Sequence, residues 1–161
     1  MLVVELLQPR RHHREGFSCG EPSLDAYLHR QASQHHRDGI STTHVLIDDT
    51  VPQAVLGYYT LSAAQLLLSE LNEDDRKRLP SYPVPAIRMG RLAVSAAEQG
   101  KGRGEFLLAH AIAKALALRK QLGVYVMLVD ALNEKAARFY RTYGFSETAS
   151  DARTLYLALG R

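Results

Sequence analysis

Six consecutive residues, Gln99-Gly100-Lys101-Gly102-Arg103-Gly104, hold three glycines interleaved with two cations. Glycine lets a backbone turn tightly and come close to a ligand. The residues that follow carry apolar side chains at Leu107, Leu108, Ala111, Ile112, Ala115, Leu116 and Leu118, a stripe that predicts a long helix over roughly residues 104–121. A helix start offers unpaired N–H groups and a positive dipole end. A glycine loop running into one therefore suits a pyrophosphate, and Lys101 and Arg103 add charge. The loop lacks the Gly-Lys-Ser/Thr of a nucleotide P-loop, and its spacing does not match a dinucleotide fingerprint. A glycine-rich turn with no ligand is the plainer alternative.

The elements around this loop follow from periodicity. Leu2 to Leu7 reads as a first strand, and residues 8–20, with Pro9, Gly16 and Gly20, read as loop. Pro22 suits a helix's first turn. Leu24, Tyr27, Leu28 and Gln31 keep helical spacing until Gly39 ends the segment. Thr42–Asp48 and Ala54–Ala64 read as a hairpin around the turn at Asp49-Thr50-Val51-Pro52. Residues 69–79 suit a short surface helix. Ser81-Tyr82-Pro83-Val84-Pro85 is held extended by its prolines. Ala86–Val94 is a strand with unexpected interior cations, Arg88 and Arg91. The continuous apolar run Val124–Val129 suits a strand covered on both faces. A helix over 134–142, with Asn133 as its N-cap, and a last strand over Arg153–Leu159 complete the chain. The order implies an α/β fold with a mixed, mostly antiparallel sheet rather than a doubly wound parallel one.

At 161 residues, 46% hydrophobic and 23% charged, the chain suits one domain spanning 1–161 with its own core. Its one cysteine, Cys19, excludes an internal disulfide, so a reduced, cytoplasmic setting is expected. Cys19 reads as a packed residue, since no base is placed beside it in the sequence. Met1–Leu7 lacks the basic flank and apolar length of a signal peptide. No apolar run is long enough to span a bilayer, so no membrane association is expected. The seven histidines lack a convincing carboxylate or cysteine set, so no metal is expected.

Gln99-x-x-Gly102-x-Gly104, just after Arg91-Leu92-Ala93-Val94, resembles the acetyl-CoA loop of the GNAT superfamily of N-acetyltransferases. Asn133-Glu134-Lys135-Ala136-Ala137-Arg138-Phe139-Tyr140, followed by Gly144-Phe145, is similar to that superfamily's late helix. The resemblance covers nearly the whole chain. A narrower set resembles the GNAT-type toxins of bacterial toxin–antitoxin modules, which acetylate the amino group of aminoacyl-tRNA and block translation. It comprises Phe17-Ser18-Cys19-Gly20, Leu24-Asp25-x-Tyr27-Leu28, Gly57-Tyr58-Tyr59-Thr60-Leu61, Pro83-Val84-Pro85 and Gly90-Arg91-Leu92-Ala93-Val94.

The resemblance implies roles. Leu92, Ala93 and Val94 would offer main-chain groups to the pantetheine arm of acetyl-CoA. Gln99, Gly100, Lys101, Gly102, Arg103 and Gly104 would hold its pyrophosphate. Tyr140 would be the general acid that protonates the leaving thiolate; a phenol with an ordinary pKa of about 10 can donate that proton. Packing of helix on sheet is the competing use for Tyr140, and Tyr143 is the competing acid. Asn133, two helical turns before Tyr140, would touch the cofactor or cap its helix. No general base stands out. An α-amine, with an ordinary pKa of about 7.7–8.0, needs less help than a lysine at about 10.4.

Net charge is +3. Basic residues gather at Arg10–Arg14, at Arg30 with His35, His36 and Arg37, at Arg76–Arg78, and at Arg138 and Arg141. Cations of this kind suit tRNA phosphates, although for any single cluster solvated loops and helix ends are the better explanation. Arg30, Arg37, Arg91, Arg138 and Arg141 are the candidate substrate contacts. The toxin resemblance further implies a ribbon-helix-helix antitoxin and a homodimer. Two other functions stay open: a GNAT enzyme acting on a small amine or a protein N-terminus, and a non-catalytic domain that binds nucleic acid or a partner.

Overall fold

Proline marks the start of one helix and asparagine the starts of two others. In a computed structural model, which describes residues 1–79 and 83–159, strand β1 (Leu2–Leu6) is followed by α1 (Pro22–Arg30), α2 (Ala32–Arg37), β2 (Thr42–Asp48), β3 (Gly57–Leu66), α3 (Glu73–Arg76), β4 (Val84–Val94), α4 (Arg103–Leu118), β5 (Val126–Asp130), α5 (Glu134–Thr142), β6 (Ser146–Glu147) and β7 (Thr154–Ala158). Pro22 occupies the first turn of α1. The side chains of Asn72 and Asn133 cap α3 and α5 by accepting the N–H of Asp75 and Ala136.

The seven strands form one sheet in the order β1-β2-β3-β4-β5-β7-β6. Strand β1 runs antiparallel to β2, with Leu2 opposite Asp48, and β2 antiparallel to β3, with Leu46 opposite Gly57. Strand β4 is parallel to β5, with Ala86 opposite Val126, and β7 runs antiparallel to both β5 and β6. This is the mixed, mostly antiparallel α/β sheet that the element order implies.

The chain forms two compact units, one from Met1–Ser62 with Arg91–Ala111 and the other from Ala63–Gly90 with Ile112–Arg161. The first packs Leu7, Phe17, Tyr27, Leu28, Val45, Ile47, Tyr58 and Ala93 into a core. The second packs Leu66, Leu71, Val84, Ala86, Val126, Leu128 and Tyr156. In that second core the Tyr156 hydroxyl donates to Asp75 at 2.9 Å and accepts the Asn72 N–H at 2.9 Å, which fastens the first turn of α3.

Three expectations need adjustment. The helix expected to run from Pro22 to Gly39 is two helices, because Gln31, at φ −117° and ψ −30°, ends α1 and begins α2. The stripe on α4 is narrower than the sequence implies: Leu107, Leu108, Ala111 and Ala115 are buried, while Leu116 is exposed. The expected surface helix over 69–79 is a 3-10 turn (Leu68–Glu70) and the short α3. Of the segment expected to be held extended by its prolines, Ser81 and Tyr82 lie outside the described residues, and Pro83 precedes β4. Among the described residues no helix is long and apolar enough to cross a membrane.

Candidate functional site

In the first unit the glycine loop joins β4 to α4. Gly100 and Gly102 both sit at φ +80°, a region that costs most side-chain-bearing residues strain and costs glycine none. Helix α4 begins at Arg103, so Arg103 and Gly104 form its first turn rather than the end of the loop. The Phe106 N–H reaches back to the Gly102 carbonyl at 3.1 Å, while the N–H groups ahead of it have no intrahelical acceptor. Over 16 residues, α4 is long enough to present a full dipole end there.

The cations of this loop are shared with a residue that the sequence reading passed over. Glu98 meets Lys101 at 3.3 Å and Arg103 at 3.2 Å. The hydrogen bonds from Arg103 and then Lys101 hold its carboxyl below the usual carboxylate range. The spacing of three and five residues was the available signal. Gln99 uses its side-chain amide inside the protein, donating to the Cys19 carbonyl at 2.7 Å and the Val94 carbonyl at 2.9 Å. Ala93 is buried, and Leu92 and Val94 are partly so. Arg91 lies with its guanidinium carbon 3.5 Å from the centre of the Tyr27 ring. Tyr27 itself is fixed by bonds to Ser41 at 2.8 Å and His35 at 3.0 Å. Arg30 and Arg37, on α1 and α2, are exposed.

In the second unit Asn133 and Tyr140 share α5. The Asn133 side chain accepts the Ala136 N–H at 2.9 Å, so it does cap the helix. Tyr140 is 4% exposed, with its ring against Phe139 and Phe145. Burial, and secondly the Asp130 carboxylate, push its phenol well above the ordinary range. The phenol therefore keeps its proton at any physiological pH. Asp130 ends β5 and holds Arg88 of β4 through both carboxylate oxygens, at 2.6 and 2.7 Å. That pair accounts for one of the two unexpected strand cations. Arg138 is exposed. Arg141 bonds Glu134 and Glu147 across α5 and β6, so two carboxylates offset its charge. Tyr143 is 43% exposed and packs on Phe139.

Cys19 is buried. Burial and the Asp25 carboxylate push its thiol up to about 11, which matches a packed residue and not a nucleophile. Among the described residues no group of three His, Cys, Asp or Glu side chains could hold a metal.

A loop of glycines at positive φ, backed by a long helix start and rimmed by cations, fits the diphosphate of a coenzyme. The family of the chain agrees with that chemistry. Residues 41–147 match the family model described as an acetyltransferase (GNAT) domain, and the chain belongs to the GNAT acetyltransferases. It is 36% identical over 143 residues, 89% of this chain and 84% of the relative, to the tRNA-acetylating toxin of Mycobacterium tuberculosis strain ATCC 25618 / H37Rv. Its fold matches AtaT complexed with acetyl-methionyl-tRNAfMet at a TM-score of 0.92 and 30% identity, covering 98% of this chain and 95% of that one. It also matches a tyrosine-to-phenylalanine mutant of the toxin AtaT bound to the C-terminus of the antitoxin AtaR and acetyl-CoA. That match has a TM-score of 0.82 and 29% identity, covering 98% of this chain and 92% of that one.

Proposed function

We propose that this protein is a toxin that transfers acetyl from acetyl-CoA to the α-amino group of aminoacyl-tRNA and so blocks translation. The observation that carries the donor side is the loop at Gly100 and Gly102 running into the start of α4. The relative named as a tRNA-acetylating toxin supports the acceptor.

Acetyl-CoA, when bound, supplies a thioester-activated acetyl group. The N–H groups of the first turn of α4, with Lys101 and Arg103, would hold its diphosphate. Main-chain groups of Leu92, Ala93 and Val94 would align its pantetheine arm. Gln99 would serve from inside the loop. Asn133 fixes the start of α5 and thereby the position of Tyr140. Tyr140 holds a proton at its hydroxyl for the sulfur that departs. The acceptor amine needs no strong base, since roughly a tenth of an α-amine is already neutral at pH 7. Arg30, Arg37, Arg91, Arg138 and Arg141 would contact the tRNA. Of these, Arg30, Arg37 and Arg138 are exposed, which suits phosphate contact, while Arg91 on Tyr27 suits a fixed group nearer the acceptor end.

The same reading extends to partners and setting. A ribbon-helix-helix antitoxin would neutralise the protein, two copies would pair as a homodimer, and the cytoplasm, where charged tRNA is found, would be its site of action. The test is an acetylation assay with purified charged tRNA and labelled acetyl-CoA. Acetyl should appear on the aminoacyl α-amine, and the rate should fall steeply as salt rises, because phosphate contacts release counterions. Turnover on polyamines or peptide N-termini, with none on charged tRNA, would assign the enzyme to another acceptor class.

A further inference from the structure

Two hydrogen bonds join the stretch between β4 and α4 to the chain that leads into α1, and two more anchor them at either end. The Gln99 side-chain amide donates to the Cys19 carbonyl at 2.7 Å and the Val94 carbonyl at 2.9 Å. The Cys19 N–H, on the other side of the same residue, donates to the Asp25 carboxylate at 2.9 Å. Two residues past the end of β4, the Ala96 N–H donates to the Ser18 carbonyl at 2.8 Å. Asp25 lies in the first turn of α1 and Val94 is the last residue of β4. A continuous path of bonds therefore runs from α1 through the backbone of Cys19 and the side chain of Gln99 to the end of β4. The chemistry also fixes how the Gln99 amide is oriented. Both partners are carbonyls that can only accept, and only the –NH2 end of an amide can donate twice.

We infer that Gln99 is a positioning residue: it staples the coenzyme loop to the 18–25 segment, so that the loop's N–H groups are already aimed before the coenzyme arrives. This deepens the reading of that loop as the acetyl-CoA site and rests on it. The loop needs such a staple. It contains two glycines at positive φ, and glycine gives up more conformational freedom on ordering than any other residue. Ordering it in advance removes a cost that binding would otherwise carry. The staple also makes the loop sensitive to α1, the helix that ends in the exposed Arg30. A change at the α1 end of the path reaches the coenzyme loop without either end touching the other.

Gln99→Met keeps the length of the side chain and removes both donors. Gln99→Arg keeps donors in reach. For Gln99→Met the dissociation constant of acetyl-CoA, read by calorimetry, should rise about tenfold, the effect of two ordinary hydrogen bonds lost. KM for acetyl-CoA should follow it, while kcat at saturating acetyl-CoA stays within about twofold. Gln99→Arg should recover most of the affinity. In the coenzyme-free protein, Gln99→Met should lower hydrogen-exchange protection at the Cys19 and Ala96 amides and leave the β2–β3 amides protected. Unchanged affinity together with unchanged protection at Cys19 and Ala96 would overturn the staple. A fall in kcat with unchanged affinity would overturn it too. Failure of the unaltered protein to bind acetyl-CoA would instead remove the reading of the site, and the exchange experiment would still report on the staple.

Discussion

A β-carbon added to Gly57 would stand 2.8 Å from the carbonyl oxygen of Ala93 and 2.9 Å from Leu107 Cδ1. The absence of a side chain on β3 thus lets β4 and the first turns of α4 close up, just where the main chain of Ala93 and the loop after Val94 are expected to meet the coenzyme. Leu107 can turn aside, but the Ala93 carbonyl belongs to the backbone and cannot. Gly57→Ala should therefore lower stability by about 1–3 kcal/mol, as overpacking does. It should also weaken acetyl-CoA binding, and Gly57→Val should do more of both. Thermal melting with calorimetry on the same samples checks this. Wild-type affinity in Gly57→Val would show that Ala93 is not placed for the coenzyme.

Glu98 shares one carboxylate between Lys101 and Arg103. It holds both cations at the loop and offsets half of their charge. A bound diphosphate would meet a net charge of +1 from these three residues, two cations less one anion. Glu98→Gln leaves the side chain the same size and raises that charge to +2. Acetyl-CoA should then bind about two- to fivefold more tightly at low salt, and the gain should fade near 1 M salt, where the screening length is about 3 Å. Titrations at two salt concentrations read this directly. Weaker binding at low salt would mean that holding the cations in place matters more than their charge.

Stability should fall on the alkaline side. Burial pushes the Cys19 thiol up to about 11 and the Tyr156 hydroxyl up to about 12, against ordinary values near 8.5 and 10. As pH rises, the unfolded chain loses these protons first, so it binds fewer protons than the native state and stability declines with pH. The contribution of Cys19 is complete at pH 8 and gone past pH 11; that of Tyr156 is complete below pH 10 and gone past pH 12. The urea midpoint should drop across that window. Tyr156→Phe should be less stable at neutral pH by about 1–3 kcal/mol, having lost its bond to Asp75, but its alkaline decline should be shallower. At pH 8 iodoacetamide should modify Cys19 slowly in the folded protein and quickly in urea. Equal rates would show an accessible thiol.

What could be read from the sequence was local. Pro22, Asn133 and the apolar run of β5 each act within a few residues, and they place the start of α1, the start of α5 and a buried strand where they are found. The glycine loop is legible for the same reason, since a positive φ at Gly100 and Gly102 leaves its mark in the residue type. The break at Gln31 leaves none, because glutamine continues helices as readily as it ends them. The bonds of the Gln99 amide were out of reach for another reason: one of its partners lies 80 residues away, and nothing in the spacing of either segment records it. Arg88 showed its oddity as a cation inside a strand, but its answer, Asp130, is 42 residues further on. The pair of Glu98 with Lys101 and Arg103, by contrast, was within local range.

Tyr140 offers the sharpest test of the chemistry. Its phenol is buried against Phe139 and Phe145, and burial and Asp130 keep it protonated. A neutral donor is what a departing thiolate requires, and a phenylalanine in its place keeps the ring and loses only the hydroxyl that carries the proton. Tyr140→Phe should bind acetyl-CoA within about twofold of the unaltered protein, yet lose kcat by about 10²–10⁴, the range for removing a general acid. Tyr143→Phe, at the exposed C-terminal end of the same helix, should keep its turnover. The sign of the surrounding charge can be tested as well. Asp130→Asn removes the anion that raises the phenol and leaves Arg88 nearby, so the phenol becomes a stronger acid and kcat at neutral pH should rise. Arg88→Met leaves the anion uncompensated, makes the phenol a weaker acid and should shift kcat at neutral pH the opposite way, downward. Turnover in Tyr140→Phe equal to that of the unaltered protein would remove the acid role. A normal Tyr140→Phe loss with no opposite shift in the two charge variants would keep the role and confine the Arg88–Asp130 pair to holding β4 against β5.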